Sequence, residues 1–148
     1  ILDEPLSGLD PVNTDLFRSI IRDEIGKGKY IIMSSHQMPT IEEFCTDIII
    51  LHRGEAVLQG NLNEIKKDYG RVKLSVKADE NILPLALECG LEVVQQTPNG
   101  TDFKVAVPLQ AETFLKKAVE SGITVVKYEL REPSLHEIFV EKAGGEEK

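Results

Sequence analysis

The chain opens with two apolar residues that lead directly into two neighbouring acids, Asp3 and Glu4, followed by Pro5. A buried strand that ends in this way puts its carboxylates at the carboxyl edge of a parallel sheet, where open α/β sheets bind ligands. One carboxylate can hold Mg²⁺ and its water ligands. The next can orient or deprotonate a water molecule that attacks a phosphate. An apolar-Asp-Glu string alone is common, so the residues around it decide its meaning.

A histidine follows the next predicted strand. The chain between Glu4 and His36 has room for one helix and one strand, so a right-handed crossover returns His36 to the same sheet edge. Asp10 can cap that helix with Pro11 at its first position, and apolar residues recur at helical spacing over 11–25. Residues 29–35 have a continuous Tyr-Ile-Ile-Met centre, which predicts a buried parallel strand.

Three further elements complete the first part of the chain. They are a helix over 39–45, a hairpin of strands 48–51 and 56–59, and a helix that begins with a capping box at Asn61 and Glu64 and ends at Gly70. We expect this part, residues 1–70, to be an α/β unit with a parallel sheet. The domain boundary is predicted near Gly70.

The pattern changes from Arg71 onward. Strands are predicted over 71–77, 91–97, 102–107 and 123–130, and helices over 81–89, 110–121 and 134–142. The order β-α-β-β-α-β followed by α is that of ferredoxin-like α+β folds, so residues 71–148 are predicted to be a small domain of that kind. The last helix, capped by Ser134 and Glu137, should pack Leu135, Ile138 and Phe139 on the preceding sheet. A frayed tail is expected from Gly144 to Lys148.

Composition excludes several classes of function. The net charge of −8 argues against a nucleic-acid partner, since phosphate backbones need clustered Lys and Arg. The negative net charge does not exclude ATP as a ligand, because an ATP site is built from local backbone groups and Mg²⁺. Two cysteines, Cys45 and Cys89, are too few for a disulfide framework and are typical of a protein in a reducing compartment. The longest aliphatic run, Ile48 to Leu51, is too short to insert in a membrane. His52 and His136 belong to no recognisable metal-ligand motif, so both are interpreted as surface residues.

Several strings resemble motifs of ATP-binding-cassette (ABC) ATPases. Ile-Leu-Asp-Glu-Pro followed by Ser7 to Asp10 resembles their Walker B motif and D-loop, and His36 after Ile-Ile-Met-Ser-Ser resembles their H-loop histidine. Residues 48–60 are similar to the hairpin of that family. Residues 132–139, Glu-Pro-Ser-Leu-x-x-Ile-Phe, resemble a segment near the end of ABC ATPase subunits that serve exporter-type permeases of bacteria.

The resemblance implies a role for each matched residue. Asp3 corresponds to the aspartate associated with Mg²⁺, and Glu4 to the carboxylate that polarises the attacking water. His36 corresponds to the residue that contacts the γ-phosphate of ATP. Ser7 and Asp10 correspond to D-loop residues at the interface between two ATPase domains. ATP and Mg²⁺ are the implied cofactors.

Two motifs of the family are absent from the sequence. There is no Gly-x-x-x-x-Gly-Lys-Ser/Thr to cradle phosphates and no Leu-Ser-Gly-Gly-Gln signature. We therefore expect a C-terminal fragment that begins at Walker B, is inactive alone and binds no cofactor. Its parent is expected to hydrolyse ATP as a dimer with a second ATP-binding subunit. It should sit in the cytoplasm at the inner face of the cell membrane, attached through a permease.

Two alternatives stay open. One is a soluble ABC ATPase outside transport, but such proteins usually carry long basic or coiled-coil insertions, which the net charge of −8 disfavours. The other treats residues 71–148 as a non-catalytic interaction or regulatory module. An exposed apolar sheet face would favour that second alternative.

Overall fold

The computed structural model describes residues 1–144 of the chain. The first half contains β1 (Leu2–Asp3), α1 (Pro11–Gly26), β2 (Met33–Ser34), α2 (Met38–Phe44), β3 (Asp47–His52), β4 (Glu55–Asn61) and α3 (Leu62–Tyr69). The second half contains β5 (Lys73–Ala78), α4 (Leu83–Glu88), β6 (Glu92–Thr97), β7 (Gly100–Lys104), α5 (Pro108–Glu120), β8 (Val125–Arg131) and α6 (Leu135–Gly144). The element order of this second half is the one expected from the sequence.

Strands β1 and β2 form a short parallel ladder, in which Leu2–Asp3 pairs in register with Met33–Ser34. The prediction of a buried strand over 29–35 is wrong in extent and in burial, since the Tyr30 and Ile32 side chains are exposed. The ladder is limited by its two-residue partner β1. Within the described residues no further strand flanks this pair. Tyr30 and Ile32 beside it are exposed, whereas Ile31 and Met33 are partly buried.

Helix α1 connects the two parallel strands. The Asp10 carboxylate accepts a hydrogen bond from the Asn13 backbone N–H at 2.8 Å, and Pro11 is the first helical residue, as predicted. Its apolar stripe is only partly covered. Ile21 is buried, whereas its neighbours on the stripe are exposed: Val12, Leu16, Ile20 and Ile25. In this chain α1 therefore acts as a crossover rather than as a core helix.

Strands β3 and β4 form the predicted antiparallel hairpin. Its two-residue loop, Arg53–Gly54, has both residues at positive φ, 53° and 83°, as a tight hairpin turn requires. Ile48 and Ile50 on its inner face are buried against Leu62 of α3 and Leu135 of α6. We refer to these four buried residues as the hairpin cluster.

Strands β5 to β8 form one antiparallel sheet in the order β6-β7-β5-β8. Helices α4 and α5 cover one face, and the core between sheet and helices consists of Leu74, Val76, Ile82, Ala86, Leu91, Phe103, Val105, Ala111 and Phe114. Phe103 and Phe114 pack across it with ring centroids 6.2 Å apart. This core is the larger of the two apolar clusters in the described chain.

The opposite face of this sheet carries a polar network. Asp102 of β7 accepts hydrogen bonds from Ser75 Oγ and Gln95 Nε2, each at 2.6 Å. These two donors, Ser75 first, lower the pKa of Asp102, and the positive charges of Arg131 and Lys127 lower it further. The network therefore keeps an ionised carboxylate on a solvated sheet face.

Helix α6 packs on a different partner from the one predicted. We expected Leu135, Ile138 and Phe139 to lie on the preceding sheet. Instead, Leu135 belongs to the hairpin cluster and Phe139 packs beside it, so that α6 contacts α2 and β4. The Phe139 ring also meets the His52 ring edge-on at 5.7 Å, so His52 is not merely a surface residue. Helical periodicity identified the apolar face of α6 but carries no information on what covers it.

Glu137 joins the start of α6 to the sheet. The predicted capping box is present: the Glu137 N–H donates to Ser134 Oγ at 3.2 Å, and the Ser134 N–H donates to Glu137 Oε1 at 3.1 Å. Arg131 Nη1 donates to Glu137 Oε1 at 2.7 Å, and Lys73 Nζ lies 3.3 Å from Oε2. Burial raises the pKa of Glu137, but the Arg131 and Ser134 donors outweigh burial and lower it to about 2.

Within residues 1–144 no helix combines the length and apolar character needed to cross a membrane. The tail predicted from Gly144 onward falls mainly on 145–148, which lie outside the described residues. Gly144 itself is the last residue of α6.

We expect stability to be uneven along the chain. The amides of β5, β7 and β8 should exchange slowly, because their strands close the larger core, whereas those of residues 1–35 should exchange faster. Hydrogen exchange of the dilute monomer measures this difference. Uniformly strong protection of residues 1–35 would contradict the expectation. Strong protection that appears only in a dimer would mean that the exposed strand pair has found a second chain.

Replacing Glu137 with Gln should flatten the loss of stability in acid. A carboxyl group whose pKa falls from 4.5 to about 2 on folding contributes stability that is present above the unfolded-state value and lost as the pH approaches the folded-state value. The variant should be less stable by about 1–3 kcal/mol at neutral pH and by little near pH ~2. Urea unfolding across this range measures the difference, with Glu141→Gln, an exposed position on the same helix, as the control. An equal destabilisation at every pH would contradict this account.

Candidate functional site

The carboxyl ends of β1 and β2 bring Asp3, Glu4 and His36 together. The strand register puts Asp3 opposite Ser34. Glu4 follows Asp3, and its backbone N–H donates to the Ser34 carbonyl at 2.9 Å. His36 lies two residues beyond Ser34 on the neighbouring strand. Two neighbouring acids and a histidine 32 residues further along the chain thus share one sheet edge, which is the arrangement that parallel pairing produces.

Glu4 and His36 contact each other through both backbone and side chain. The Glu4 Oε1 atom accepts a hydrogen bond from the His36 backbone N–H at 2.8 Å and lies 2.8 Å from His36 Nδ1. That nitrogen donates to the carboxylate when it carries the proton. The Glu4 and His36 side chains are 36% and 74% exposed. A carboxylate–imidazole pair open to solvent can hold and transfer a proton.

The Glu4 backbone adopts a strained conformation. Its φ of 46° lies in the left-handed region, which costs a non-glycine residue of order 1–3 kcal/mol. Two backbone hydrogen bonds fix it there: its N–H donates to the Ser34 carbonyl at 2.9 Å, and its carbonyl accepts from the Ser7 N–H at 3.1 Å. The chain thereby turns away sharply after β1. Strain of this kind concentrates at functional sites, where the surrounding structure maintains it.

Asp3 has a partner that sequence reasoning did not assign. The Ser34 hydroxyl donates a hydrogen bond to Asp3 Oδ1. Ser34 was noted only as a residue preceding His36, and its role depends on the register between two distant strands. The available signal was that a hydroxyl residue ends the strand expected to pair with the acidic one. The hydroxyl orients the Asp3 carboxylate at the exposed edge of the ladder.

Ser7 and Asp10 lie in the turn that leads from the site into α1. Both are exposed. The Ser7 N–H is bound to the Glu4 carbonyl, so its turn is directly attached to the site. Both Asp10 carboxylate oxygens are engaged by Asn13, Oδ1 by the backbone N–H at 2.8 Å and Oδ2 by the side-chain amide at 3.0 Å. Asp10 therefore serves its helix, as a capping residue does.

The donor set fits one side of a magnesium–phosphate site. Mg²⁺ typically keeps several waters and takes one or two carboxylates together with substrate phosphates, and Asp3 can supply such a carboxylate. Among the described residues no group of three or more His, Cys, Asp or Glu side chains could hold a metal by itself. The phosphate-cradling Gly-x-x-x-x-Gly-Lys-Ser/Thr loop is absent from the sequence. Asp3, Glu4 and His36 thus offer two carboxylates and an imidazole at this edge without a loop that cradles phosphates.

Comparison with known proteins gives a consistent result. The family model described as "ATP-binding protein DrrA1-3-like, C-terminal domain" matches residues 60–143. The uncharacterised ABC transporter ATP-binding protein YhaQ of Bacillus subtilis is 37% identical over 144 residues, covering 97% of this chain and 48% of YhaQ. A protein of the same description from Alkalihalophilus pseudofirmus is also 37% identical over 144 residues, covering 97% of this chain and 54% of that protein.

A third relative comes from an archaeon. An uncharacterised ABC transporter ATP-binding protein of Methanocaldococcus jannaschii is 32% identical over 142 residues, covering 96% of this chain and 45% of that protein. The chain thus spans about half the length of the relatives it matches. The region matched by the family model contains α3 to α6 and the four-stranded sheet. The residues of the candidate site precede it.

The Glu4–His36 contact can be tested with two variants of one residue. Glu4→Ala removes the acceptor of the His36 N–H, whereas Glu4→Gln keeps an oxygen that can still accept. We expect the His36 amide to exchange about tenfold faster in the Ala variant and at a rate close to wild type in the Gln variant. Solvent-exchange NMR of the 148-residue chain measures both rates. Equal rates in the wild type and the Ala variant would show that the contact does not form.

Proposed function

Because the chain belongs to the ABC ATP-binding proteins with a DrrA1-3-like C-terminal domain, we propose that it is the carboxyl-terminal part of the ATP-hydrolysing subunit of an ABC transporter. The observation that carries the proposal is the contact between Glu4 and His36 beside Asp3 at the ends of two parallel strands. Residue types, order and geometry all agree with a site for phosphoryl transfer.

In the proposed site each residue has a distinct role. Glu4 is the Walker B carboxylate that orients the attacking water and accepts its proton, since its Oε1 already accepts hydrogen bonds at a solvent-open position. His36 is the H-loop residue that donates a hydrogen bond to the terminal phosphate while its backbone N–H holds Glu4. Asp3, oriented by Ser34, would hold Mg²⁺ directly or through water. The bound metal would neutralise charge on the phosphates.

The proposed D-loop consists of the turn that contains Ser7 and Asp10. Its support is twofold: both residues are exposed, and the turn is bonded to the Glu4 carbonyl. A second ATP-binding subunit that contacts this turn would therefore act on the backbone that fixes the strained Glu4. Asp10 would contribute there mainly by capping α1, since Asn13 engages both of its carboxylate oxygens.

The remaining partners follow from the same proposal. The ATP-binding subunit would dimerise and act on a membrane permease of exporter type, and would lie in the cytoplasm at the inner face of the membrane. The net charge of −8 supports a protein partner over a nucleic acid. The transported substrate would be recognised by the permease.

We further propose that the chain divides into residues 1–70, part of the nucleotide-binding domain, and 71–148, a ferredoxin-like accessory domain. The proposal is supported by the strand order β6-β7-β5-β8, by antiparallel pairing throughout the sheet, and by two helices on one face. The packing of α6 on the hairpin cluster implies that the two parts are joined by more than their covalent link.

A purely binding role for residues 71–148 receives less support. The open face of the sheet carries the polar network of Ser75, Gln95 and Asp102 rather than an apolar surface. An apolar face would have favoured docking of a partner on the sheet. The accessory domain is therefore better interpreted as a structural support of the ATPase.

In the full-length ATP-binding protein, Glu4→Gln and His36→Ala should each lower kcat by about 10²-fold or more. ATP binding should change by less than about tenfold, because positioning and electrostatics, not affinity, depend on these groups. Steady-state hydrolysis and nucleotide titration measure the two effects, with Glu55→Gln at the exposed hairpin as control. The 148-residue chain alone should show no turnover. Wild-type hydrolysis by the Glu4→Gln protein would refute the Walker B assignment.

A further inference from the structure

Helix α6 touches both halves of the chain. On one side, Glu137 binds Arg131 of β8 at 2.7 Å and lies near Lys73 of β5 at 3.3 Å, which ties the helix to the four-stranded sheet. On the other side, Leu135 is fully buried in the hairpin cluster and Phe139 packs against it. The helix is therefore held from two directions at once.

Helix α2 is one of the elements of the first half that α6 contacts, together with β4. Three side chains of α2 and its carboxyl end pack against the hairpin cluster, namely Met38, Ile41 and Cys45. The two helices are in direct contact. Burial against this cluster raises the pKa of the Cys45 thiol, as expected for a side chain in apolar surroundings. The position of α2 thus depends on the side chains that α6 contributes.

The position of His36 is closely tied to the position of α2. Gln37 is the N-cap of the helix, and its carbonyl accepts hydrogen bonds from the Thr40 and Ile41 N–H groups at 3.1 and 3.3 Å. The Gln37 N–H is itself bound to Ser35 Oγ at 3.1 Å. His36 therefore lies directly before the N-cap of α2, within the turn closed by the Gln37–Ser35 hydrogen bond, so a tilt of α2 changes where His36 lies.

Helix α2 is also supported by contacts with α1, which are more exposed than its packing on the hairpin cluster. Phe17 packs edge-on against Phe44 with centroids 6.3 Å apart. Arg18 Nε lies 2.8 Å from Glu43 Oε1, with the two side chains 36% and 30% exposed. Ion pairs at this exposure contribute little to the free energy of unfolding, about 0–1 kcal/mol. The buried cluster with Leu135 is therefore a stronger support of α2 than its contacts with α1. An ion pair between Lys66 of α3 and Glu42 of α2, at 2.8 Å, adds to the support on the side of the cluster.

We propose that Leu135 and Phe139 of α6 are positioning residues for His36, acting through Met38 and Ile41 of α2. The catalytic meaning of this positioning rests on the function proposed above, whereas the mechanical link between α6 and His36 does not. Helix α6 contacts α2 and thereby determines where His36 lies. The accessory domain in this way stabilises the geometry of the site.

The test uses hydrogen exchange of the 148-residue chain, read at two amides. The His36 N–H is bound to Glu4 Oε1 and the Ile41 N–H to the Gln37 carbonyl. In Phe139→Ala and Leu135→Ala, both amides should exchange about tenfold faster than in wild type, and the His36 imidazole signal should shift in a ¹H–¹⁵N spectrum. Phe139→Leu, which keeps an apolar side chain of moderate size, should restore most of the protection.

A matched control separates this link from general loosening. Leu85→Ala removes a similar apolar side chain from α4, where it packs on the larger core instead of the hairpin cluster. It should destabilise the sheet and leave His36 and Ile41 nearly unchanged. Equal acceleration in Leu85→Ala and Phe139→Ala, or unchanged exchange in a folded Phe139→Ala chain, would overturn the proposal. If Leu135→Ala fails to fold, the two Phe139 variants decide the matter.

The two proposals fail independently. Exchange at His36 is measured without nucleotide, so a negative result there leaves the ATPase assignment standing. Wild-type hydrolysis by the Glu4→Gln protein would remove the ATPase assignment but would not alter the packing of α6 on α2.

Discussion

The register between β1 and β2 is the constraint on which the site depends. With Asp3 opposite Ser34, the Glu4 N–H meets the Ser34 carbonyl and the Glu4 carboxylate meets His36. A slip of one residue would turn these side chains to the other face of the ladder and separate them. The ladder spans two residues on each strand, so few backbone hydrogen bonds maintain the geometry. Neighbouring elements must therefore support it.

That support is distributed unevenly. Helix α1 leaves most of its apolar stripe exposed. It holds α2 through one aromatic contact and through ion pairs of Arg18 and Arg22 with Glu43, which are partly or largely exposed. The second half of the chain has the larger core, and α6 extends from it to the hairpin cluster beside α2. The four-stranded sheet thus supports the two-stranded ladder of β1 and β2 through α6, the hairpin cluster and α2. This division explains how a sheet with a polar open face can matter to the distant candidate site of Asp3, Glu4 and His36.

Local features of the fold could be predicted from sequence because they form between residues a few positions apart. The Asp10 cap, the Arg53–Gly54 hairpin and the Ser134–Glu137 capping box are all of this kind. They depend on backbone donors within one turn, which residue type and spacing specify.

Features that depend on distant partners could not be derived in the same way. The apolar run of residues 29–35 predicted burial, but burial needs neighbouring strands, and Tyr30 and Ile32 are exposed. Periodicity gave the apolar face of α6 without its partner, so the contact with α2 was missed. For the site, the crossover argument predicts that Glu4 and His36 lie at one sheet edge, and motif resemblance implies a role for each. Only the strand register shows that they touch, and that Ser34 completes the group with Asp3.

We expect Glu4 and His36 to act as one unit, and a double-mutant cycle measures the coupling between them. ATP hydrolysis would be measured in the full-length protein for Glu4→Asp, His36→Gln and the double variant, milder changes that leave measurable rates. Groups that work through a shared contact are non-additive, so the double variant should be about as slow as the slower single variant. Losses that multiply, as for independent sites, would contradict the account.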